Sequence, residues 1–306
     1  MVDRSPVRDA LTHAVLWLGI LLVVFPIYYA FVAATLSLEE VARAPMPLIP
    51  GRHLLENLQT VWSKAHLGRV LFNTFVMAAG ITVGKIAISI LSAFAVTYFR
   101  FRFRMAAFWM IFVTLMLPVE VRIIPTYAVA SNIIAPLQWI SEWLYLPELT
   151  QALMGRRFEL KLELSLLDSY AGLILPLVAS ATATFLFRQF FLTIPEELAE
   201  AAKIDGAGPL RFFWAVLVPM SRTNVAALVV ILFVYGWNQY LWPLLITTTP
   251  DVSTAMITLR HLMPGPNDPP TWHLAMAGAL VILIPPALVV TVMQRWFVQG
   301  LIEGEK

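Results

Sequence analysis

The hydrophobic residues of this 306-residue chain fall into six long runs that carry almost no charge, and polar segments separate them. A helix needs roughly 20 mostly apolar residues to cross the hydrocarbon core of a bilayer, and each run reaches about that length. The pattern therefore predicts an all-α polytopic membrane protein with six transmembrane helices. The predicted spans are residues 13–35, 70–97, 105–126, 171–190, 224–246 and 274–296.

The charges that flank these runs predict the topology. The first run follows Arg4 and Arg8, but it is too long for the apolar part of a secretory signal and no convincing small-residue cleavage site follows it, so we expect a retained helix. Six spans place both termini on one side. Lys and Arg are densest on that side, most clearly in residues 100–104, Arg-Phe-Arg-Phe-Arg. Because Lys and Arg concentrate in cytoplasmic loops, the bias favours cytoplasmic termini.

Three connections between the predicted spans are long: residues 36–69 and 120–168, predicted to lie outside, and residues 191–223, predicted to lie inside. In the second of them, Trp139, Trp143 and Tyr145 predict a short helix at the membrane interface, where aromatic rings prefer to lie. Residues 158–164 then alternate strictly between apolar and charged. This alternation predicts either a strand that needs a partner or an irregular amphipathic segment.

The inner connection predicts two short helices that meet at a glycine corner. Thr193 and Glu196 have the spacing of a capping box, which predicts a helix that continues to about Ile204. Gly206 then supplies a turn in which a positive φ is needed. The second helix is predicted to begin at Pro209, because proline fits the first helical turn.

Pro219 is predicted to end that second helix, because proline interrupts a helix interior. The first helix presents a small apolar face formed by Leu198, Ala201 and Ala202. Such a face suits insertion into a groove of another protein. The alternative is a helix that lies on the membrane surface.

Composition narrows the possible functions. Hydrophobic residues make up 59% of the chain and charged residues 13%, against roughly 45–50% and about 25% in soluble domains. The net charge of +2 excludes a nucleic-acid binder that works by bulk charge. The absence of cysteine excludes disulfides and Cys-ligated metals, and the five histidines lack metal-ligand spacing. With no phosphate-binding loop and no nucleophile elbow in the sequence, we expect no catalytic site and no metal site.

Two motifs carry a resemblance to a known family. Residues Glu200-Ala201-Ala202, Asp205-Gly206-Ala207, Leu217 and Pro219 resemble the EAA loop of importer-type ABC permeases. Residues 235–243, Tyr-Gly-Trp-Asn-Gln-Tyr-Leu-Trp-Pro, resemble the fifth span of permeases of the carbohydrate-uptake type. The resemblance covers most of the chain and departs from the family at roughly 133–164, where a shorter connection is expected.

This resemblance implies the type I ABC importer permease fold and a domain organisation. The expected parts are residues 1–65 (cytoplasmic segment, first span and outer loop), 66–296 (permease domain with an outer insertion at about 133–164 and the EAA loop at 191–223) and 297–306 (cytoplasmic tail). It also implies a multi-pass protein of the bacterial inner membrane.

The resemblance also implies the partners. They are a homologous second permease, two ATP-binding subunits, a periplasmic or extracellular substrate-binding protein and the lipid bilayer, with no nucleic acid. ATP and Mg²⁺ would be bound by the ATPase subunits, and this chain would hold no cofactor. The residues implied to couple to the ATPase are Glu197, Glu200, Ala201, Ala202, Asp205, Gly206, Ala207 and Pro219.

Polar residues inside the spans are candidates for the substrate path. Lys85 lies midway along the second span, where a charge costs about 2.5–3.5 kcal/mol. It either faces the path and attracts an anion, or pairs with a carboxylate or carbonyl to lock two spans. Arg122 offers a bidentate fork to a phosphate, or anchors an interface. Asn73 either faces the path or bonds between helices.

The fifth span adds Trp237, Asn238 and Tyr240, which lie just before Pro243 and are candidates for the lining of a cavity. The resemblance implies import of glycerol 3-phosphate, with glycerophosphodiesters as close relatives. An uncharged sugar or polyol stays open if Lys85 and Arg122 are structural. A self-contained secondary transporter is disfavoured, since no carboxylate lies clearly mid-span and no internal repeat is evident.

Overall fold

The computed structural model describes residues 6–114, 119–154 and 163–303. Across these ranges the chain is built from helices and connecting loops. The helices are α1 (Pro6–Thr35), α2 (Leu38–Val41), α3 (Leu54–Lys64), α4 (Leu67–Tyr98), α5 (Arg104–Val113), α6 (Val119–Ser131), α7 (Ala135–Trp143), α8 (Leu146–Met154), α9 (Tyr170–Ile174), α10 (Ala181–Thr193), α11 (Glu196–Ile204), α12 (Pro209–Phe212), α13 (Val218–Met220), α14 (Arg222–Trp237), α15 (Leu241–Ile246), α16 (Ala255–Leu262) and α17 (Trp272–Glu303).

Three helices are long and apolar enough to cross a membrane without interruption. They lie in α1, α4 and α17, at Asp9–Thr35, Leu67–Tyr98 and Trp272–Gln294. The first, second and sixth predicted spans are therefore each formed by one continuous helix. Counting each bent pair of shorter helices as one span raises the number to as many as six.

Two of the predicted spans, at 171–190 and 224–246, contain a break between shorter helices. In the run at 171–190, the chain tightens into a 3₁₀ turn at Leu175–Leu177, which contains Pro176, and resumes as α10 at an angle of 49°. The Ser180 hydroxyl accepts a hydrogen bond from the Ala183 N–H and thereby caps the new helix. Such breaks are tolerated at membrane depth where protein or water satisfies the backbone.

In the third run, α5 ends at Val113 and α6 begins at Val119, and residues 115–118 between them lie outside the described residues. In the fifth run, α14 ends at Trp237 and α15 begins at Leu241, so the break precedes Pro243 by several residues. The bent helix pairs of the structure also include Val121–Ser131 with Ala135–Trp143, which meet at 87°.

The insertion predicted at about 133–164 begins with the predicted short helix, α7. The rings of Trp139 and Trp143 on it are exposed, as is that of Tyr145 just beyond it. The alternating segment predicted at 158–164 lies mostly outside the described residues. At its described end, the Leu164 carbonyl accepts a hydrogen bond from the Ile133 N–H at 2.9 Å.

The chain forms two compact units, Met1–Leu71 with Ala255–Pro285 and Phe72–Thr254 with Pro286–Lys306. In the first unit, the Asn57 side-chain amide donates to the carbonyls of Ala34 and Leu36, both at 2.9 Å, and so attaches α3 to the end of α1. Ser37 and Glu40 form a capping box at the start of α2. These bonds satisfy backbone groups that the end of α1 would otherwise leave open.

In the second unit, α4 and α14 pack with their backbones in close contact. A Cβ atom added at Gly236 would lie 2.9 Å from the Cα of Ala78, and one added at Gly80 would lie 2.6 Å from the side chain of Ile174. Small residues at such crossings are what allow membrane helices to approach closely.

Replacing Gly236 with valine is expected to destabilise the second unit by about 1–3 kcal/mol, because the added atoms meet backbone that has no room to yield. Gly19→Val is the matched control, since nothing lies within 4 Å of a Cβ built at Gly19. Thermal unfolding of both variants in detergent checks this. Equal midpoints for the two variants would contradict the packing.

Candidate functional site

The loop predicted to lie inside, residues 191–223, folds as two short helices joined at Gly206. α11 ends at Ile204, Gly206 has a φ of +72°, and α12 begins with Pro209 in its first turn. The Ala207 N–H donates to the Ala202 carbonyl at 2.8 Å, which closes the corner. The predicted helix, glycine corner and second helix are confirmed.

The predicted capping box of Thr193 and Glu196 is wrong. Thr193 is the last residue of α10, and its hydroxyl donates back to the Phe190 carbonyl at 2.7 Å. Pro195 is the residue that precedes α11, and it offers no side-chain cap. The acidic residues Glu196 and Glu197 in the first turn stabilise the helix instead, through the positive end of its dipole.

The second helix of the loop continues through a π-helical turn at Phe213–Leu217 and ends at Met220, one residue beyond Pro219. Pro219 has no N–H to bond the preceding turn, which is one reason for the wider turn just before it. The segment Pro209–Met220 then meets α14 at 71°. Pro219 therefore lies at the end of this helix, as predicted.

An aromatic cluster supports both helices of the loop. We call Phe94, Tyr98, Phe191, Phe212 and Phe213 the base cluster; they come from α4, α10, α12 and the π turn. The ring centroids of Phe94 and Phe213 are 5.0 Å apart and those of Tyr98 and Phe212 are 5.3 Å apart. Aromatic pairs at such distances attract beyond their area burial. The cluster therefore joins the loop to the C-terminal ends of α4 and α10.

The predicted apolar face of α11 is divided between two sides. Ala202, with Ala199, packs against the hydrophobic core that contains the base cluster. Leu198 and Ala201 are exposed. The prediction that Ala202 shares one outward face with Leu198 and Ala201 is therefore wrong, because the base cluster covers it.

The remaining candidates for ATPase coupling lie on the outer surface or at the corner. Glu197, Glu200 and Asp205 are exposed, whereas Ala207 and Pro219 are half-buried. α11 and the end of α4 also line an open cleft of about 620 Å³. Arg100, Arg104 and Lys203 line it together with Glu196 and Glu200. This part of the loop thus presents charged side chains beside an open cleft.

Lys85 lies on α4 with its side chain buried. Its ammonium is 4.2 Å from the centroid of the Tyr235 ring on α14. Within the described part of the chain, no carboxylate lies within the 4 Å of an ion pair with it. A desolvated contact of this kind is worth about 2 kcal/mol, which offsets most of the roughly 2.5–3.5 kcal/mol that a mid-span charge costs. Tyr235 was missed as a site residue, although it begins the motif that carried the resemblance.

The second cationic candidate, Arg122, lies on α6 and is exposed. Its charge acts on Lys85 and disfavours a second positive charge there. A bound anion would relieve this repulsion.

Asn73, another candidate for the substrate path, lies away from Lys85. Its amide donates to the carbonyls of Asp251 and Ser253 at 2.8 and 3.0 Å and accepts from the Tyr170 hydroxyl at 2.6 Å. It lies three turns from Lys85 along α4, about 18 Å at the helical rise. Its engaged amide supports the bonding role between helices that was weighed for it.

The three candidates from the fifth span differ in their position relative to the break between α14 and α15. Trp237 is 1% exposed and its ring stacks on Phe233, with centroids 5.7 Å apart. Asn238 is exposed at the end of α14, and Tyr240 is half-buried just before α15. The structure thus places Asn238 and Tyr240 at the interrupted backbone and Trp237 in the core.

A hydrogen-bonded latch connects the loops before α9 and after α15. Asp168 accepts bonds from the backbone N–H of Thr248 and of Thr249, at 2.6 and 2.9 Å, and from both hydroxyls. These bonds, those to Thr248 foremost, lower the pKa of Asp168 from 3.8 to about 2. The carboxylate is therefore the form that holds the latch.

Asp168→Asn is expected to loosen this latch, because the amide replaces one acceptor oxygen with a donor. Since the folded pKa of Asp168 is depressed, the contribution is complete above its ordinary value of 3.8 and is lost as the pH falls toward about 2. Hydrogen exchange at Thr248 and Thr249 measures it. Near neutral pH, the amides of Thr248 and Thr249 should exchange more slowly in wild type than in the variant, and this difference should disappear as the pH falls toward about 2. A difference in exchange rate that does not change with pH would contradict the role of the Asp168 carboxylate.

Comparison with known proteins identifies the family of this chain and a solved structure with a similar fold. Residues 85–303 match the family described as binding-protein-dependent transport system inner membrane component. A chain of a bacterial ABC transporter involved in the import of the acidic polysaccharide alginate has a similar fold, with a TM-score of 0.57 at 15% sequence identity, and the match covers 94% of this chain and 96% of that one. This similarity confirms the predicted fold class.

Full-length relatives are similar as well. The chain is 51% identical to the sn-glycerol-3-phosphate transport system permease protein UgpE of Rhizobium meliloti (strain 1021) over 313 residues, 49% identical to that of Yersinia enterocolitica and 50% identical to that of Escherichia coli O6:K15:H31, each over 312 residues. Each match covers all of both chains.

The structure combines continuous and bent apolar helices with a helix–glycine–helix loop, and the family match identifies this combination as the membrane component of a transport system. The chain belongs to the family of binding-protein-dependent transport system inner membrane components. The predictions of a permease subunit and of a multi-pass bacterial inner-membrane protein are confirmed by this membership.

Proposed function

We propose that this chain is the membrane-spanning permease subunit of an ATP-driven importer for sn-glycerol 3-phosphate, and that it forms half of the translocation pathway. The observation that carries the proposal is the buried ammonium of Lys85, which no carboxylate pairs among the described residues and on which the charge of a second cation, Arg122, acts. A phosphate monoester supplies the negative charge that such a pair lacks. The names of the relatives support the same substrate. Glycerophosphodiesters, which keep one phosphate charge, are secondary candidates.

The complete importer contains a homologous second permease, two ATP-binding subunits and a soluble substrate-binding protein on the outer side. ATP and Mg²⁺ are bound by the ATP-binding subunits. Both termini of this chain face the cytoplasm, so that residues 191–223 meet the ATPase. Residues 66–296 form the permease domain in this arrangement.

The inner loop is proposed to transmit nucleotide-driven movement. Exposed Leu198, Glu200 and Ala201 contact the ATPase, while Ala202 rests on the base cluster. Because that cluster includes residues of α4 and α10, a force applied to α11 is passed to the inner ends of two spans. The break between α14 and α15 leaves the outer part of the fifth span able to respond separately.

Uptake into proteoliposomes tests the substrate. The chain is reconstituted with its partner permease, ATPase and binding protein, and ATP-dependent uptake is compared for glycerol 3-phosphate, a glycerophosphodiester and glycerol. We expect uptake of the phosphorylated solutes only. Uptake of glycerol in preference to glycerol 3-phosphate would overturn the proposal, and uptake without ATP would favour a secondary transporter.

A further inference from the structure

We propose that Tyr235 determines specificity in this translocation site by holding the Lys85 ammonium in place with an uncharged aromatic face, which leaves its positive charge available to a phosphate-bearing solute. The proposal rests on the proposed function. It assigns to Tyr235 a role as a positioning residue, because it acts on the substrate through Lys85.

The geometry places an aromatic face where a counter-ion would be expected. The Lys85 nitrogen lies 4.2 Å from the Tyr235 ring centroid, well inside the roughly 6 Å limit for an attraction between a cation and a ring. Lys85 is 7% exposed and Tyr235 39%. The ring therefore remains accessible from one side while the protein covers the ammonium.

The backbone beside Tyr235 fixes this contact. Gly236 lies against Ala78 of α4, so that the backbones of α4 and α14 are in close contact one residue from Tyr235. Phe233, one turn from Trp237, stacks on it and also meets the ring of Phe75 on α4. These contacts pack α4 against α14 close to Lys85 and Tyr235.

An uncharged partner has a consequence that a carboxylate would not have. A buried carboxylate would neutralise Lys85, and an incoming phosphate would have to break an ion pair before it bound. The face of a ring attracts the ammonium while the site keeps its full positive charge. A phosphate then forms charge-assisted hydrogen bonds with an ammonium that the ring already holds in position. The site therefore favours an anion over a neutral polyol of the same size.

Three substitutions of Tyr235 in the reconstituted importer test this role. Tyr235→Phe keeps the ring, Tyr235→Met keeps similar bulk without a ring, and Tyr235→Glu supplies the counter-ion that the site lacks. We expect the KM for glycerol 3-phosphate to change by less than about twofold with Phe and to rise about tenfold with Met. With Glu, we expect uptake to be lost in an assembled complex, because the ion pair stabilises the fold while it neutralises the site.

A matched control is Tyr29→Met, since Tyr29 on α1 is also 39% exposed and no cation contact to it is seen among the described residues. This control should leave KM unchanged. In a Lys85→Met background, Tyr235→Met should add no further rise in KM, because the two residues act as a unit. Equal KM values for the Met and Phe variants, or glycerol 3-phosphate uptake retained by the Glu variant, would overturn the role of Tyr235.

The outcomes also separate this proposal from the proposed function. If wild type imports glycerol 3-phosphate and the Tyr235 variants match it, only the role of the ring fails. If wild type imports glycerol and not glycerol 3-phosphate, the proposed function fails first, and the role of Tyr235 fails with it.

Discussion

Replacing Gly206 with valine is expected to reduce ATP-driven transport about tenfold or more, because a left-handed backbone costs an L-residue roughly 1–2 kcal/mol and a β-branched one more. Gly206 has a φ of +72°, and nothing lies within 4 Å of a Cβ built there. The effect therefore comes from backbone strain and not from a clash. Relief of that strain would break the bond from Ala207 to Ala202 that closes the corner. ATP hydrolysis stimulated by the binding protein, measured in proteoliposomes, reports the loss.

Gly208 provides a control two residues away. A Cβ added to it would also meet open space, but its φ of −71° suits any residue. Gly208→Val should therefore transport nearly as well as wild type, and Gly206→Asn, which tolerates the left-handed region better, should lie between. If both valine variants lost transport equally, surface bulk would explain the result and the role of the corner would be contradicted.

The inner loop could be predicted from the sequence because its signals are local. Proline at the start of α12 and glycine at the corner each act through their own backbone preferences. The cap at Thr193 could not be predicted in the same way. Thr193 belongs to the end of α10, and a side chain that serves the preceding helix is not distinguished from one that serves the next by spacing alone.

The broken spans were hidden for a different reason. Hydropathy reports how apolar a run is, and says little about whether its backbone hydrogen bonds are continuous. The break before α10 depends on the Ser180 cap and on Pro176, and the break after α14 falls in a polar stretch that is only part of an apolar run. Each signal is weak by itself within such a run. The contact between Lys85 and Tyr235 depends on helix register, which one sequence does not specify.

The helix–glycine–helix loop and the cation contact are connected by the same two helices. α4 carries Lys85 and, nearer its C-terminal end, the base-cluster residues Phe94 and Tyr98. α14 carries Tyr235 and packs Leu228 and Leu232 into the same core. A shift of one helix against the other that begins at the loop therefore changes the distance between the ammonium and the ring. This geometry gives the importer a physical route by which nucleotide-driven movement could weaken the hold on an anion.

Replacing Lys85 with methionine is expected to lower glycerol 3-phosphate uptake by about 100-fold, since it removes a charge-assisted contact of a kind worth roughly 1.5–3 kcal/mol together with the field that draws the anion in. The same change should leave the thermal stability of the complex equal to or above that of wild type. Burying the charge costs about 2.5–3.5 kcal/mol and its ring contact returns only about 2 kcal/mol.

The pairing of these two measurements is what decides the role of Lys85. A structural lock loses stability when its cation is removed, whereas a charge kept for transport loses function and spares the fold. Lys85→Arg is the matched control, because it keeps the charge but changes its shape, and uptake should be partly retained. A Lys85→Met complex that unfolds earlier than wild type and still imports glycerol 3-phosphate would reverse the assignment. The cation would then serve the packing of α4 against α14, and the anion would have to be recognised by Arg122 or by the second permease.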